Sequence, residues 1–245
     1  MASGIGIGTG QDSGYARTAL VTGAARRIGR AIALRLAGEG FGLALHSSLR
    51  SAPEAEALAA ELRAQGGRAC VVTGDLGQAS DVAALIDQAS AALGPLSLLV
   101  NNASLYEPDV PGAFDAAFFD RLMAVNLRPP LQLASDFARA LPDTMRGEII
   151  NIIDQKVWRL NPRYFSYTLS KSAFWTATQT MAQAYAPRIL VYNSKRHCLC
   201  SEPLFRSYIF IRASEHWLKI LSTYGVSRVI MRGQEPATVS QLDAP

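Results

Sequence analysis

The chain has 245 residues, 49% of them hydrophobic and 18% charged, with a formal net charge of +4, a size and composition that suit one domain with a substantial core. The basic surplus lies entirely after residue 187, before which sixteen basic and sixteen acidic side chains balance. No basic cluster is interleaved with aromatics, which excludes nucleic acid as the main partner, and no apolar run approaches the ~18 residues of a membrane span.

Residues 1–16 are glycine-rich and lack the basic and apolar regions of a secretory signal, so they read as a flexible leader to a domain over residues 17–245. Three cysteines, Cys70, Cys198 and Cys200, are odd in number and unlike a disulfide framework, which fits a reducing cytoplasm. The first predicted strand is Thr18–Thr22. It runs into "GAARRIG", with Gly23 just after the strand and Gly29 at the opening of a helix. Such a turn lets the backbone approach a pyrophosphate and aims free N–H groups and a helix N-terminus at it. Gly23, Arg26, Arg27, Ile28 and Gly29 are therefore candidate cofactor contacts, although the bare alternative is an ordinary strand–turn–helix corner. "GIGIGTG" at residues 4–10 has the glycines but follows no strand and is set aside.

The second predicted strand, Gly42–His46, continues into "SSLRS" with no carboxylate between Glu39 and Glu54. An acidic residue at this point would bind the 2′-hydroxyl of NAD, whereas a 2′-phosphate favours cations and hydroxyls. His46, Ser47, Ser48, Arg26 and Arg27 supply those, so NADPH is the expected cofactor. Singly, each arginine also fits a solvated surface charge. A helix then opens with Ser51 and Glu54 in capping-box spacing and closes on Gly66. A third strand (Ala69–Thr73), a helix from Ser80 to Gly94, and a fourth strand (Leu96–Val100) follow. Near-continuous apolar strands alternating with helices predict a doubly wound, Rossmann-type α/β domain around a mostly parallel sheet.

A fifth strand, Glu148–Ile153, leads to Asp154, and thirteen residues later Tyr167 and Lys171 stand at i and i+4 on a helix predicted over residues 165–186. An ammonium so placed favours the phenolate and draws the phenol towards a useful acidity. Asp154 also fits a helix cap or an ion pair with Lys156 or Arg159. Arg188–Tyr192 reads as a sixth strand. His197 and His216 with Cys198 and Cys200 lack the spacing of a metal site, and no metal is expected.

The ordered set "TGAARRIG", "GDL" (Gly74–Leu76), "NNAS" (Asn101–Ser104), Asn126 in "AVNLRPP" and "YTLSK" resembles the short-chain dehydrogenase/reductase family over residues 17–190. The resemblance implies that Asp75 and Leu76 border the adenine and that Asn101 and Ala103 support the sheet near the ribose. It also implies that Asn126 orders a water chain to Lys171, that Tyr167 exchanges the proton, and that the chain forms a homotetramer or homodimer. Three departures, Arg27 in place of a glycine, Asp154 in place of a serine or threonine, and "NNAS", resemble the pteridine reductase branch. There the aspartate joins Tyr167 in the active site, Ser104 meets the substrate, and Tyr106 would stack on the pterin; a plain loop aromatic is the other reading of Tyr106. The expected activity is NADPH-dependent reduction of a pterin or dihydropterin. A general carbonyl or 3-oxoacyl reductase, or a nucleotide-binding homologue with impaired catalysis, are the alternatives.

From about residue 189 the character changes. Only Ala213, Ala237 and Ala244 follow an alanine-rich body, and the family's Pro-Gly turn after the sixth strand is absent from the sequence. A shifted reading frame, a replaced terminus or divergence would each produce this.

Overall fold

The computed structural model describes residues 17–185, 188–193, 198–203, 231–232 and 235–236. The expected leader, residues 1–16, lies outside them, as do His197 and His216. The chain divides into two compact units, Met1–Thr178 and Gln179–Pro245, where the sequence reads as one domain of changing character.

In the first unit five strands, β1 (Thr18–Val21), β2 (Gly42–Ser47), β3 (Ala69–Thr73), β4 (Leu98–Asn101) and β5 (Glu148–Asn151), form one sheet in the order β3-β2-β1-β4-β5. Every neighbouring pair is parallel, with Thr18 opposite Gly42 and Ala19 opposite Leu98 at the centre. Six helices accompany the strands: α1 (Arg27–Gly38), α2 (Ala52–Ala64), α3 (Ala79–Leu93), α4 (Ala116–Asn126), α5 (Arg128–Ala140) and α6 (Phe165–Tyr185). The doubly wound α/β architecture is thus present.

The two layers follow from helical spacing. Leu58, Ala59 and Leu62 of α2 are buried with Leu43, Leu45 and Val100 on one side of the sheet. Val82, Leu85, Ile86 and Ala89 of α3, at i, i+3, i+4 and i+7, join Leu20, Leu99, Leu133 and Phe137 on the other. Each fully buried leucine contributes about 2–3 kcal/mol of apolar transfer energy. β1 and β4 are buried at every position, while β5 alternates between exposed and half-buried positions.

Three expectations are corrected. Ser51 precedes α2, but its side chain makes no capping bond and turns to Ser48, while Glu54 pairs with Arg26. α3 begins at Ala79, so Ser80 lies inside the helix and not at its cap. The glycine stops do hold, with Gly66 and Gly94 both at positive φ. Third, the predicted sixth strand forms, as β6 (Arg188–Asn193), but it does not extend the parallel sheet. It pairs antiparallel with β7 (Cys198–Pro203), Arg188 opposite Pro203, within the second unit. The same unit holds the short antiparallel pair β8 (Met231–Arg232) and β9 (Glu235–Pro236).

Candidate active site

Strand order reverses between β1 and β4, and in an open parallel sheet that point opens a crevice beyond the strand ends. The turn after β1 lies there. Gly23 has φ +63, and a Cβ on it would meet Ala103 at 3.1 Å; a Cβ on Gly29 would lie 2.1 Å from the Gly23 carbonyl oxygen. Only glycine fits either position. Asn102, which the sequence reading passed over, ties the two loops together. Its amide donates to the carbonyls of Thr22 (2.8 Å) and Gly23 (3.3 Å), and the Thr22 hydroxyl accepts from the backbone N–H groups of Asn102 and Ala103.

Arg27 stands at φ 49, the left-handed region where the glycine of the common pattern would sit without strain. Arg26, Arg27 and Ile28 are all exposed on the outer side of this turn. The Arg26 guanidinium is paired with Glu54. At the end of β2, Ser47 is buried and its hydroxyl has no hydrogen-bond partner, and the Ser48 hydroxyl lies 3.2 Å from that of Ser51. A glycine cradle, an unpartnered buried hydroxyl and the lack of a carboxylate between Glu39 and Glu54 suit a phosphorylated dinucleotide.

Other nominated residues turn inward. His46 is buried, and Gly23 N–H donates to its Nδ1 at 3.2 Å while Nε2 lies 3.2 Å from the carbonyl oxygen of Gly74. A backbone N–H can only donate and a carbonyl can only accept, so the ring is neutral with its proton on Nε2. His46 shapes the turn from behind. Burial lowers its pKa from 6.5 to about 4, outweighing the opposing bond to Gly74. The unfolded chain takes up this proton below its pKa of 6.5 while the folded chain refuses it down to about 4. Stability from His46 is therefore complete above that window and lost as pH falls through it. Unfolding by urea at pH 7 and pH 5 should differ by about 2 kcal/mol more in the wild type than in H46Q; an equal difference would remove His46 as the cause.

Asp75 closes the turn after β3 by accepting from Gly77 N–H at 2.8 Å, and Leu76 is packed in the core. Asn101 is buried and donates to Asn151 Oδ1 at 2.9 Å. Asn126 grips Leu105 through both backbone groups, accepting from its N–H at 2.7 Å and donating to its carbonyl at 2.9 Å. It also accepts from Ser104 Oγ at 3.2 Å and donates to Ser170 Oγ at 3.2 Å. Both amide hydrogens are thus engaged within the protein.

The predicted catalytic residues do meet. Tyr167 donates its phenol hydrogen to Asp154 Oδ2 at 3.0 Å. The other oxygen, Oδ1, accepts from Lys156 N–H at 2.8 Å, capping the short 3₁₀ turn Gln155–Val157, and lies 3.8 Å from Lys156 Nζ. Cap and site are therefore two halves of one carboxylate. Lys171 is buried, donates to the Ile152 carbonyl at 2.9 Å and stands 6.0 Å from the centre of the Tyr167 ring. The acidifying effect expected of it does not prevail. Burial first, and then the Asp154 charge and hydrogen bond, raise the phenol above its ordinary range, while burial lowers Lys171 to about 8.

Around this pair stand aromatic rings. Tyr106 stacks on Tyr164 at 4.3 Å and 8° and meets Tyr167 edge-on at 4.8 Å and 80°. Lys156 Nζ lies 4.8 Å from the Tyr106 ring centre and 5.1 Å from that of Tyr164. Hydrogen bonding from Lys156 lowers the Tyr106 phenol. Tyr164 had no sequence signal of its own; only its place three residues before Tyr167 could have suggested it. Among the described residues no group of acidic, histidine and cysteine side chains could hold a metal ion.

The model of the short chain dehydrogenase family matches residues 17–195. The chain belongs to the short-chain dehydrogenase/reductase family. Among curated members, this short-chain reductase is similar to NADPH-dependent aldehyde reductase 2, chloroplastic, of Arabidopsis thaliana, with 34% identity over 77% of this chain and 72% of the relative. It is likewise similar to the 3-oxoacyl-[acyl-carrier-protein] reductase FabG of Staphylococcus aureus, with 30% identity over 73% of this chain and 72% of the relative. Among solved structures, FolM alternative dihydrofolate reductase 1 from Brucella canis, complexed with NADP, is 54% identical. That likeness covers 71% of this chain and 70% of the other, with a TM-score of 0.67. A second family model, transcription termination factor nusG, matches residues 167–244. It overlaps the first along α6 and spans the stretch where the composition shifts.

Proposed function

We propose that this short-chain reductase uses NADPH to reduce a C=N bond of a pterin or dihydropterin. The observation that carries the reading is the 3.0 Å contact between the Tyr167 phenol and Asp154, beside the Tyr106–Tyr164 stack. NADPH supplies the hydride to the ring carbon when bound. Gly23, Gly29, Ser47 and Ser48 would hold its phosphates, with Arg26 and Arg27 on the outer side of the turn, and Lys171 would meet the ribose. The NADP complex of the FolM protein and the NADPH-dependent aldehyde reductase support that cofactor.

The chain's own residues handle the proton. Tyr167, kept protonated by burial and by Asp154, donates to the ring nitrogen as hydride arrives at the adjacent carbon, so C–H and N–H form as the C=N double bond becomes single. Asp154 Oδ2, freed of the phenol, accepts a hydrogen bond from an N–H or amino group of the heterocycle, which a serine hydroxyl would do less strongly. Tyr106 covers the flat ring by stacking. A second reading, a general carbonyl or 3-oxoacyl reductase, draws support from the aldehyde reductase and FabG relatives.

An NADPH oxidation assay with dihydrobiopterin, simple ketones and 3-oxoacyl thioesters separates the two. The pterin reading expects kcat/KM for dihydrobiopterin to exceed that for the carbonyls by about 100-fold or more, on the order of 3 kcal/mol of transition-state discrimination. A preference for the carbonyls would replace it with the second reading. In this proposal the protein acts in the cytoplasm, in keeping with its free Cys70; no described helix is long and apolar enough to cross a membrane. It assembles as a homotetramer or homodimer, for which the groove along α4 and α5, lined by Met123, Leu127 and Leu131, offers an apolar surface.

A further inference from the structure

Tyr106 is half-exposed, and an exposed tyrosine on a free loop would sample many rotamers. Its loop is not free. On the near side, Asn126 holds both backbone groups of Leu105 and donates to Ser170 Oγ, and the Ser170 hydroxyl in turn donates to the Tyr167 carbonyl at 2.7 Å. On the far side, both carboxylate oxygens of Asp109 accept from Ser166 N–H at 3.0 Å, Oδ2 also accepts from Ser166 Oγ at 2.5 Å, and the Asp109 carbonyl accepts from Phe165 N–H at 3.4 Å. Between these ends, Glu107 forms a two-pronged pair with Arg121 at 2.9 and 2.7 Å. Residues 105–109 are thus a strap fastened to α6 immediately before Tyr167 and one turn after it. Tyr106 hangs in the middle, against the phenol.

The Asp109 end is the specific one. Its carboxylate satisfies the Ser166 N–H at the start of α6, which no helical carbonyl can reach, and lies where the helix dipole favours an anion. Asp109 also joins two segments that the fold brings together from 57 positions apart. We propose that Asp109 is a positioning residue that sets the register of Tyr106 over Tyr167, and so the tightness with which a flat substrate ring is held. This rests on the function proposed above. Asp109 has no part in proton transfer or in holding the cofactor.

The test is a double-mutant cycle with dihydrobiopterin as the probe. D109A should raise KM by about tenfold, the scale of one charge-assisted contact. It should leave kcat within about threefold and NADPH affinity unchanged. D109N, which keeps one acceptor and the side-chain volume, should recover part of the KM. The D109A/Y106A double variant should be no worse than Y106A alone, because Asp109 acts through Tyr106. Additive effects, or a loss of kcat with KM unchanged, would overturn the proposal. Hydrogen exchange of the full chain supplies a readout independent of substrate. The hydrogen-bonded amides of Leu105, Phe165 and Ser166 should exchange faster in D109A than in the wild type; equal exchange in the two overturns the strap. Faster exchange in a protein that turns over no dihydropterin would sink only the functional reading and leave the role of Asp109 standing.

Discussion

Replacing Tyr167 by phenylalanine is expected to lower turnover by about 10²–10⁴-fold, the usual worth of one general acid, while NADPH affinity stays within about twofold. The ring keeps its edge contact with Tyr106 and its burial, so the fold should barely register the change. Only the proton donor to Asp154 Oδ2 and to the substrate nitrogen is removed. Steady-state NADPH oxidation with dihydrobiopterin, alongside a fluorescence titration of NADPH, reads both quantities. Undiminished turnover would take Tyr167 out of the chemistry and leave the phenol–carboxylate contact a structural hydrogen bond.

The second large effect lies at the cofactor turn. In G29A the new Cβ would sit 2.1 Å from the Gly23 carbonyl oxygen and 2.7 Å from Asn102 Nδ2. Neither can retreat cheaply, since Gly23 is held from behind by His46 and Asn102 is bonded to Thr22. The turn must open. We expect about 3 kcal/mol or more of lost stability, the upper range for forcing an extra methyl into a packed site. NADPH affinity should fall by at least about 100-fold as the backbone N–H groups swing away from the phosphates. Thermal unfolding and an NADPH titration check the two halves separately; wild-type values in both would show that the close approach is relaxed in solution.

Much of the first unit was legible because its signals are local. The five apolar runs became strands within one residue of the expected limits, except that β4 starts two residues late, at Leu98, and β5 ends two residues early, at Asn151. Tyr106, Asp154 and Tyr167 were found by their offsets within motifs, and they do converge. What failed was the partner choice of polar side chains. Ser51 and Glu54 have capping-box spacing, but Arg26 from another element claims Glu54. Asp154 posed an apparent choice between cap and catalytic group that its two oxygens dissolve. Asp109 and Tyr164 carry no periodicity and no motif, and only folding reveals their neighbours. For Tyr167, the sequence shows an ammonium one turn away but not the desolvation that overrides it. Past Arg188 the change of composition was visible, and the strand there was correctly found, yet nothing local says which sheet a strand will join.

The hydroxyl of Thr22 reaches across 80 positions of sequence to the backbone of Asn102, and β1 is completed on that side only by β4. During synthesis from the N-terminus, the glycine turn, backed by His46 alone, therefore emerges long before the segment that completes it. An early β1–α1–β2 intermediate would carry a floppy version of the turn, with little hold on any nucleotide. Closing so long a loop must precede its reward, so the capacity to grip dinucleotide should appear in one late, cooperative step. Nascent chains stalled before residue 102 should fail to be retained on a nucleotide resin, and chains extended past β5 should bind.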